Sequence, residues 1–152
     1  VTGEDNILKL VDAEETEEDY RLQEQVGFVL RRAHQRHVAI FAAHIADLTP
    51  PQFAALAKLH DIGETSQNQL GALIAMDAAT VKGVIDRLKA RGLVEISRHE
   101  ADKRRLLVNL TAEGRATVES LFPLAKRITE ETLSPLSTKE IGTFLRLLNK
   151  LA

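Results

Sequence analysis

Two clusters in this sequence carry chemistry, and both suit a polyanion. The first lies in residues 78–91, where Val81, Val84, Ile85 and Leu88 recur at three- and four-residue intervals. That period buries one face of a helix. It turns Ala79, Thr80, Lys82, Gly83 and Arg87 outward, a set of small, hydroxylated or basic residues. A helix face without large apolar groups can approach phosphates closely and hydrogen-bond base edges in a major groove. Thr80, Lys82 and Gly83 are the candidates for that contact, and Ala79 suits a thymine methyl. Arg87 sits beside Asp86 and can pair locally or reach phosphate. The second cluster is His99-Glu100-Ala101-Asp102-Lys103-Arg104, six residues that read as a hairpin loop between strands at residues 93–98 and 105–110. An arginine at the tip of a β-ribbon is drawn into a minor groove by its negative potential. Arg98 and Arg105 flank the loop and suit phosphates; Lys103 is a DNA-binding candidate with them, and of the group the one that most readily reads as merely solvated.

Other chemistries have less to work with. There is no glycine-rich phosphate loop, nucleophile elbow or HExxH pattern, and Asp61 and Glu64 near a helix end read as surface residues. The chain is therefore not expected to be an enzyme, and no cofactor is implied. His34, His37 and His44 share one helix, with His60 as a possible neighbour, and imidazoles are common zinc ligands. No cysteine assists them and no HxxxH pair occurs, so polar histidines in a cavity wall are the plainer reading.

Helix-start signals place both clusters. Ser66 with Gln69 reads as a capping box, so Ser66, Gln67 and Asn68 open a short helix ahead of the first cluster and are DNA-binding candidates beside it. Asp77 is the next N-cap, with Met76 as a staple, and Gly92 fits a C′ position that needs positive φ. Upstream, an apolar stripe from Leu22 to Leu48 predicts a long helix over residues 20–48. Thr49-Pro50-Pro51-Gln52 starts another helix, which Gly63 ends. Thr111 caps a helix running to about Leu133, with Pro123 inside it as a source of a kink or a lost backbone bond. Ser137 with Glu140 opens the last helix. The expected fold is mainly α with a small β-wing.

The 152 residues suffice for one domain, or one compact domain plus an extension, and 44% hydrophobic with 4% aromatic points to aliphatic helical cores. Without cysteine, disulfides and thiol chemistry are excluded. No apolar run approaches the roughly 20 residues that span a bilayer, and no basic leader is visible, so a cytoplasmic location is expected. Net charge is −2, but it is unevenly spread. Residues 1–24 hold nine acids against Lys9 and Arg21, giving −7, so the remainder carries −2 + 7 = +5. Such asymmetry favours a nucleic-acid partner for the body of the chain. The acidic residues 1–18 lack firm periodicity and read as a solvated tail, or as a short helix of Ile7, Leu8, Leu10 and Val11 on a partner subunit.

Helix, turn, helix and basic β-ribbon in this order make a winged helix-turn-helix. With DAATVKGVIDRLKARGLVE, Arg98, the Asp102-Lys103-Arg104 triplet and VNLTAEG, the chain resembles the MarR regulators from about Val26 onward. The resemblance implies a homodimer that binds double-stranded DNA, with Arg104 in a minor groove and Asp102 holding the arginine or the turn. It implies an acidic extension at residues 1–19, a dimerisation helix at 20–48, a DNA-binding domain at 49–111 and C-terminal dimerisation helices at 112–152. A small-molecule effector would bind between the dimerisation helices and the winged domain, near His37, Phe41, His44, Phe53 and Ala57. QVGFVLRRAHQRH, SQNQLG and AMDAATVKGVIDRL resemble the subgroup that controls catabolism of aromatic acids, which implies an aromatic acid, a phenol or a coenzyme A thioester as effector. A pseudo-palindromic operator and repression follow from the same resemblance. A zinc-responsive regulator and a winged-helix protein-interaction module without a small ligand are the alternatives.

Overall fold

The computed structural model describes residues 19–152. The expectations for the acidic tail, residues 1–18, lie outside the described residues. The described residues fall into two units, one ending at Arg36 and the other running His37–Ala152.

In the first unit the backbone is extended at Arg21 and Gln25, on either side of a 3-10 turn, Leu22–Glu24. Only then does the long helix begin, as α1 (Val26–His44). Leu22, Val26, Val29 and Leu30 are all exposed, and the Arg32 guanidinium lies 5.8 Å from the Phe28 ring centroid. The helix expected over residues 20–48 is thus shorter at both ends. Its C-terminal limit has a local cause. A residue before proline is pushed to extended backbone, and Thr49 is extended at φ −81°, ψ 159°. The chain must leave the helix before it, yet Ile45 and Leu48 stay buried, so the apolar stripe outlasts the helix.

The second unit is built on local start signals. Thr49 and Gln52 exchange both bonds of a capping box at the head of α2 (Pro50–Ile62), and Gly63, at φ 77°, closes that helix. Next come β1 (Thr65–Ser66), α3 (Gln67–Leu73) and α4 (Ala78–Ala90). Ser66 Oγ accepts from the Gln69 amide at 3.1 Å, so one half of the expected capping box forms. Gly71 is buried where α3 meets α4, and a Cβ there would stand 3.1 Å from the Met76 carbonyl and from Val81. The turn between the two helices needs a left-handed residue, and Ala75 supplies it at φ 56°.

β2 (Val94–Arg98) and β3 (Leu106–Leu110) form the expected hairpin, with Ile96 opposite Val108. The sheet has three strands and not two, in antiparallel order β1-β3-β2, because Ser66 also pairs with Leu107. Two residues leave no alternation to read, so a strand this short is invisible to periodicity. α5 (Ala112–Leu133) follows from Thr111, whose hydroxyl accepts from the Gly114 amide at 3.0 Å. It runs through Pro123 without interruption. α6 (Thr138–Leu151) starts at a complete Ser137–Glu140 capping box.

Leu56, Leu59, Leu70, Val81, Ile85, Leu88, Val108 and Val118 are fully buried and tie α2 to α5 and the sheet into one core. Each such side chain contributes about 1.5–3 kcal/mol by leaving water. α6 differs: it has no buried residue, and Phe144, Leu145, Leu147 and Leu151 are exposed.

Candidate nucleic-acid interface

The outward face of α4 is prepared from its first turn. Asp77 Oδ1 accepts from the Thr80 amide at 2.7 Å. The Thr80 amide, and then its hydroxyl, hold the Asp77 carboxyl below its ordinary value of 3.8. Val81, Val84, Ile85 and Leu88 face the core, while Ala79, Thr80, Lys82 and Arg87 are exposed and Gly83 is half-buried. Lys82 Nζ meets Asp86 at 2.8 Å, one turn away. This settles the local pairing of Asp86: the partner is Lys82, because residues adjacent in sequence do not face each other on a helix. An exposed pair of this kind is weak and exchanges readily for phosphate. The Arg87 guanidinium lies back along the helix, 3.6 Å from the position a Cβ on Gly83 would take. Ala79, Thr80, Gly83, Val84 and Arg87 line a shallow cleft with Thr49, Pro51 and Gln52.

The hairpin loop is shaped by its own side chains. Asp102 Oδ1 accepts from the Arg104 amide at 3.1 Å, so this carboxylate holds the turn through the main chain. Arg98 Nη1 donates to the Lys103 carbonyl at 3.0 Å, which gives Arg98 a structural contact across the loop. His99 Nδ1 accepts from the amides of Ala101 (3.1 Å) and Asp102 (3.2 Å). Lys103, Arg104 and Arg105 are exposed. Arg104 and Arg105 line a second cleft with Ser66, Gln67, Asn68 and Gln69, which brings the start of α3 and the wing into one surface. Ser66 itself is buried, with its hydroxyl on the Gln69 amide.

Behind this face, the expected effector residues divide. Phe53 and Ala57 line an open cleft of about 600 Å³ with Phe122, Ala125, Lys126, Thr129 and Glu130. Phe41 is buried and meets Phe53 edge-on at 6.2 Å, so it backs the cleft. Phe53 in turn meets Phe122 edge-on at 6.4 Å. His37 and His44 are joined to the end of α5 instead. His37 Nδ1 is 3.0 Å from Thr132 Oγ1, and His44 Nε2 is 2.6 Å from Glu131. His60 Nε2 meets Glu119 at 2.9 Å. Each of these three imidazoles therefore has its own, different partner on α5. Among the described residues no group of three metal-binding side chains forms, and no helix is long and apolar enough to cross a membrane.

The MarR family pattern matches residues 48–106, from the entry to α2 as far as the start of β3. The HTH-type transcriptional repressor NicR of Pseudomonas putida is 42% identical over 87% of this chain and 85% of its own length. The chain belongs to the MarR family. Among solved MarR-type structures, Bordetella bronchiseptica BpsR is similar at a TM-score of 0.83 and 47% identity, over 87% of this chain and 96% of BpsR. That structure concerns regulation of BpsR's DNA binding by 6-hydroxynicotinic acid. A mutant Escherichia coli MarR complexed with operator DNA is similar at a TM-score of 0.78 and 26% identity, over 83% and 92% of the two chains. These relatives are transcriptional regulators and not enzymes. The winged helix-turn-helix expected from the sequence is the fold they share with this chain.

In this MarR chain the sequence pointed to the outer residues of α4 and the wing, but missed the α5 wall of the rear cleft. Phe122, Ala125, Lys126, Thr129 and Glu130 fall at helical spacing on one face. The signal was a cation and a hydroxyl interleaved with an aromatic on a helix that otherwise supplies core.

Proposed function

We propose that the chain is a homodimeric repressor that binds a pseudo-palindromic operator and is released by a small aromatic acid. Residues 49–111 form the DNA-binding domain, and residues 20–48 and 112–152 form the dimerisation region. The observation that carries DNA binding is the pairing of a small-residue, cationic α4 face with a hairpin tipped by exposed Arg104. Thr80, Lys82 and Gly83 enter the major groove and Ala79 meets a thymine methyl. Arg104 enters the minor groove; Gln67, Asn68, Arg87, Lys103 and Arg105 take phosphates. Ser66, Arg98 and Asp102 hold these residues in place. Support for the dimer comes from α6, whose Phe144, Leu145, Leu147 and Leu151 stay exposed among the described residues. A two-fold axis then sets two recognition helices roughly 34–36 Å apart, one helical turn of DNA.

The effector site is the cleft at Phe53, Ala57 and Phe122, whose size falls within the roughly 300–1,000 Å³ usual for ligand pockets. Its aromatic walls suit a planar ring, and the Lys126 ammonium suits a carboxylate. Phe41, His37 and His44 act from behind it, through Phe53 and the end of α5. Release requires that the acid bind one arrangement of the regulator better than another, since only that difference shifts the population. The relation to BpsR makes 6-hydroxynicotinic acid the first compound to try. The test is a thermal-shift and gel-shift pair on the wild type and Lys126→Gln. Expected is a rise in melting temperature with DNA release by the acid in the wild type, weakened in the variant. Equal responses in both proteins contradict the site, and no response to any aromatic acid contradicts the effector class.

A further inference from the structure

The wing contains an imidazole that does the work of a turn carboxamide. His99 Nδ1 stands 3.1 Å from the Ala101 amide and 3.2 Å from the Asp102 amide. A backbone N–H can only donate, so Nδ1 must accept, and the ring carries its single proton on Nε2 while the loop keeps this shape. Bonds from a side chain to the amides two and three residues on are the pattern asparagine and aspartate use to fix tight turns. The next links follow directly. The Asp102 amide is held by His99, the Asp102 carboxylate holds the Arg104 amide at 3.1 Å, and the Asp102 carbonyl accepts from the Arg105 amide at 3.0 Å. His99 is half-buried in this arrangement while Arg104 is exposed.

We infer that His99 is the positioning residue of the wing: its neutral ring fixes the turn that aims Arg104, and protonation of the ring dismantles that turn. A protonated imidazole donates from both nitrogens and leaves the two amides facing an N–H. DNA affinity then falls on acidification, although the ring's new charge by itself attracts phosphate. The charged groups of the loop and the residues that flank it are Arg98, Glu100, Asp102, Lys103, Arg104 and Arg105, with Glu95 further along the hairpin. The start of α3, which shares the adjoining cleft, adds only Ser66, Gln67, Asn68 and Gln69, none of them titratable in this range. The inference rests on the proposed role of Arg104 in DNA binding.

The test compares full-length wild type, His99→Asn, His99→Ala and Arg104→Ala on one fluorescent duplex from the region upstream of the gene. Affinity is measured at constant salt between about pH 8 and pH 5, where imidazoles titrate. Asparagine keeps an acceptor at the right reach and does not titrate. At the alkaline end His99→Asn should match the wild type within about twofold, and His99→Ala should bind roughly threefold to tenfold more weakly. On acidification the wild type should fall toward His99→Ala while His99→Asn holds. The ratio of the two isolates His99 from the histidines that both share. In parallel, nitrogen-detected NMR should find the His99 proton on Nε2, with the Ala101 and Asp102 amides losing protection as the ring titrates. A flat or rising affinity ratio, or a proton on Nδ1 at the alkaline end, overturns the inference. If Arg104→Ala weakens binding but His99→Ala does not, the positioning role alone fails. If Arg104→Ala binds like the wild type, the DNA role of the wing fails and takes this inference with it.

Discussion

Gly114 sits in the first turn of α5, against the segment that leads into the wing. A Cβ built there falls 1.9 Å from the Leu93 carbonyl oxygen and 2.8 Å from its carbon, both backbone atoms. Ordinary contact begins at 3.4 Å, so Gly114→Ala forces the two backbones apart by 3.4 − 1.9 = 1.5 Å. The same carbonyl accepts from the Thr111 amide at 3.1 Å, and the Thr111 hydroxyl donates to the Gly92 carbonyl at 2.6 Å. A shift of that size breaks at least the first of these bonds. Overpacking costs about 1–3 kcal/mol, and a lost hydrogen bond adds ~1 kcal/mol. Replacing glycine by alanine within a helix returns up to ~1 kcal/mol. The clash wins, leaving a destabilisation of about 1–3 kcal/mol. At about 2–4 °C per kcal/mol for a chain of this size, the melting temperature should drop by about 2–12 °C. Differential scanning calorimetry of the purified variant reads this directly, with circular dichroism to confirm retained helix. A melting temperature equal to or above the wild type would show that propensity outweighs the contact, and that the backbone at Leu93 yields freely.

Three further outcomes follow from single residues. Ala75 holds a left-handed φ of 56° that costs an L-residue roughly 1–2 kcal/mol, partly offset by the extra unfolded-state freedom of glycine. Ala75→Gly should raise the melting temperature by about 2–4 °C; a fall would remove the strain. Asp77, held below 3.8 by the Thr80 amide, contributes stability that is fully present above that value and is lost as pH falls through its lower folded pKa. Melting followed through the acid range should therefore fall less steeply for Asp77→Asn, which keeps the cap oxygen but not the charge; parallel curves would contradict the cap. Leu147→Glu, on the exposed apolar side of α6, should yield monomers in analytical ultracentrifugation at concentrations where the wild type is dimeric. Unchanged dimers would move the interface elsewhere.

What could be read from the sequence was local. Thr49, Ser66, Asp77, Thr111 and Ser137 all cap the helices they were expected to cap, because capping depends on residues three apart. The wing hairpin was legible as two short, partly β-branched runs on either side of a charged loop, and the buried face of α4 through its helical period. The Thr65–Ser66 strand was not, since its pairing with β3 joins segments some 40 residues apart in the chain. The partners of the histidines could not be read for the same reason. His44 and His60 meet Glu131 and Glu119, 87 and 59 residues away, and no spacing rule reaches that far. The Lys82–Asp86 pair is different: it is a one-turn helical pairing that the spacing already contained.

In the proposed function, Arg104 on each of two wings, together with the α4 faces, binds duplex DNA as a charge-neutralising unit. Fluorescence anisotropy of a labelled duplex from the region upstream of the gene, titrated over a range of salt concentrations, measures this for wild type and Arg104→Ala. The wild type should lose affinity steeply as salt rises. Arg104→Ala should bind more weakly, with the slope of log affinity against log salt shallower by about 2, roughly one per arginine in a dimer. A wild-type affinity indifferent to salt, or superimposable curves for the two proteins, would contradict the account.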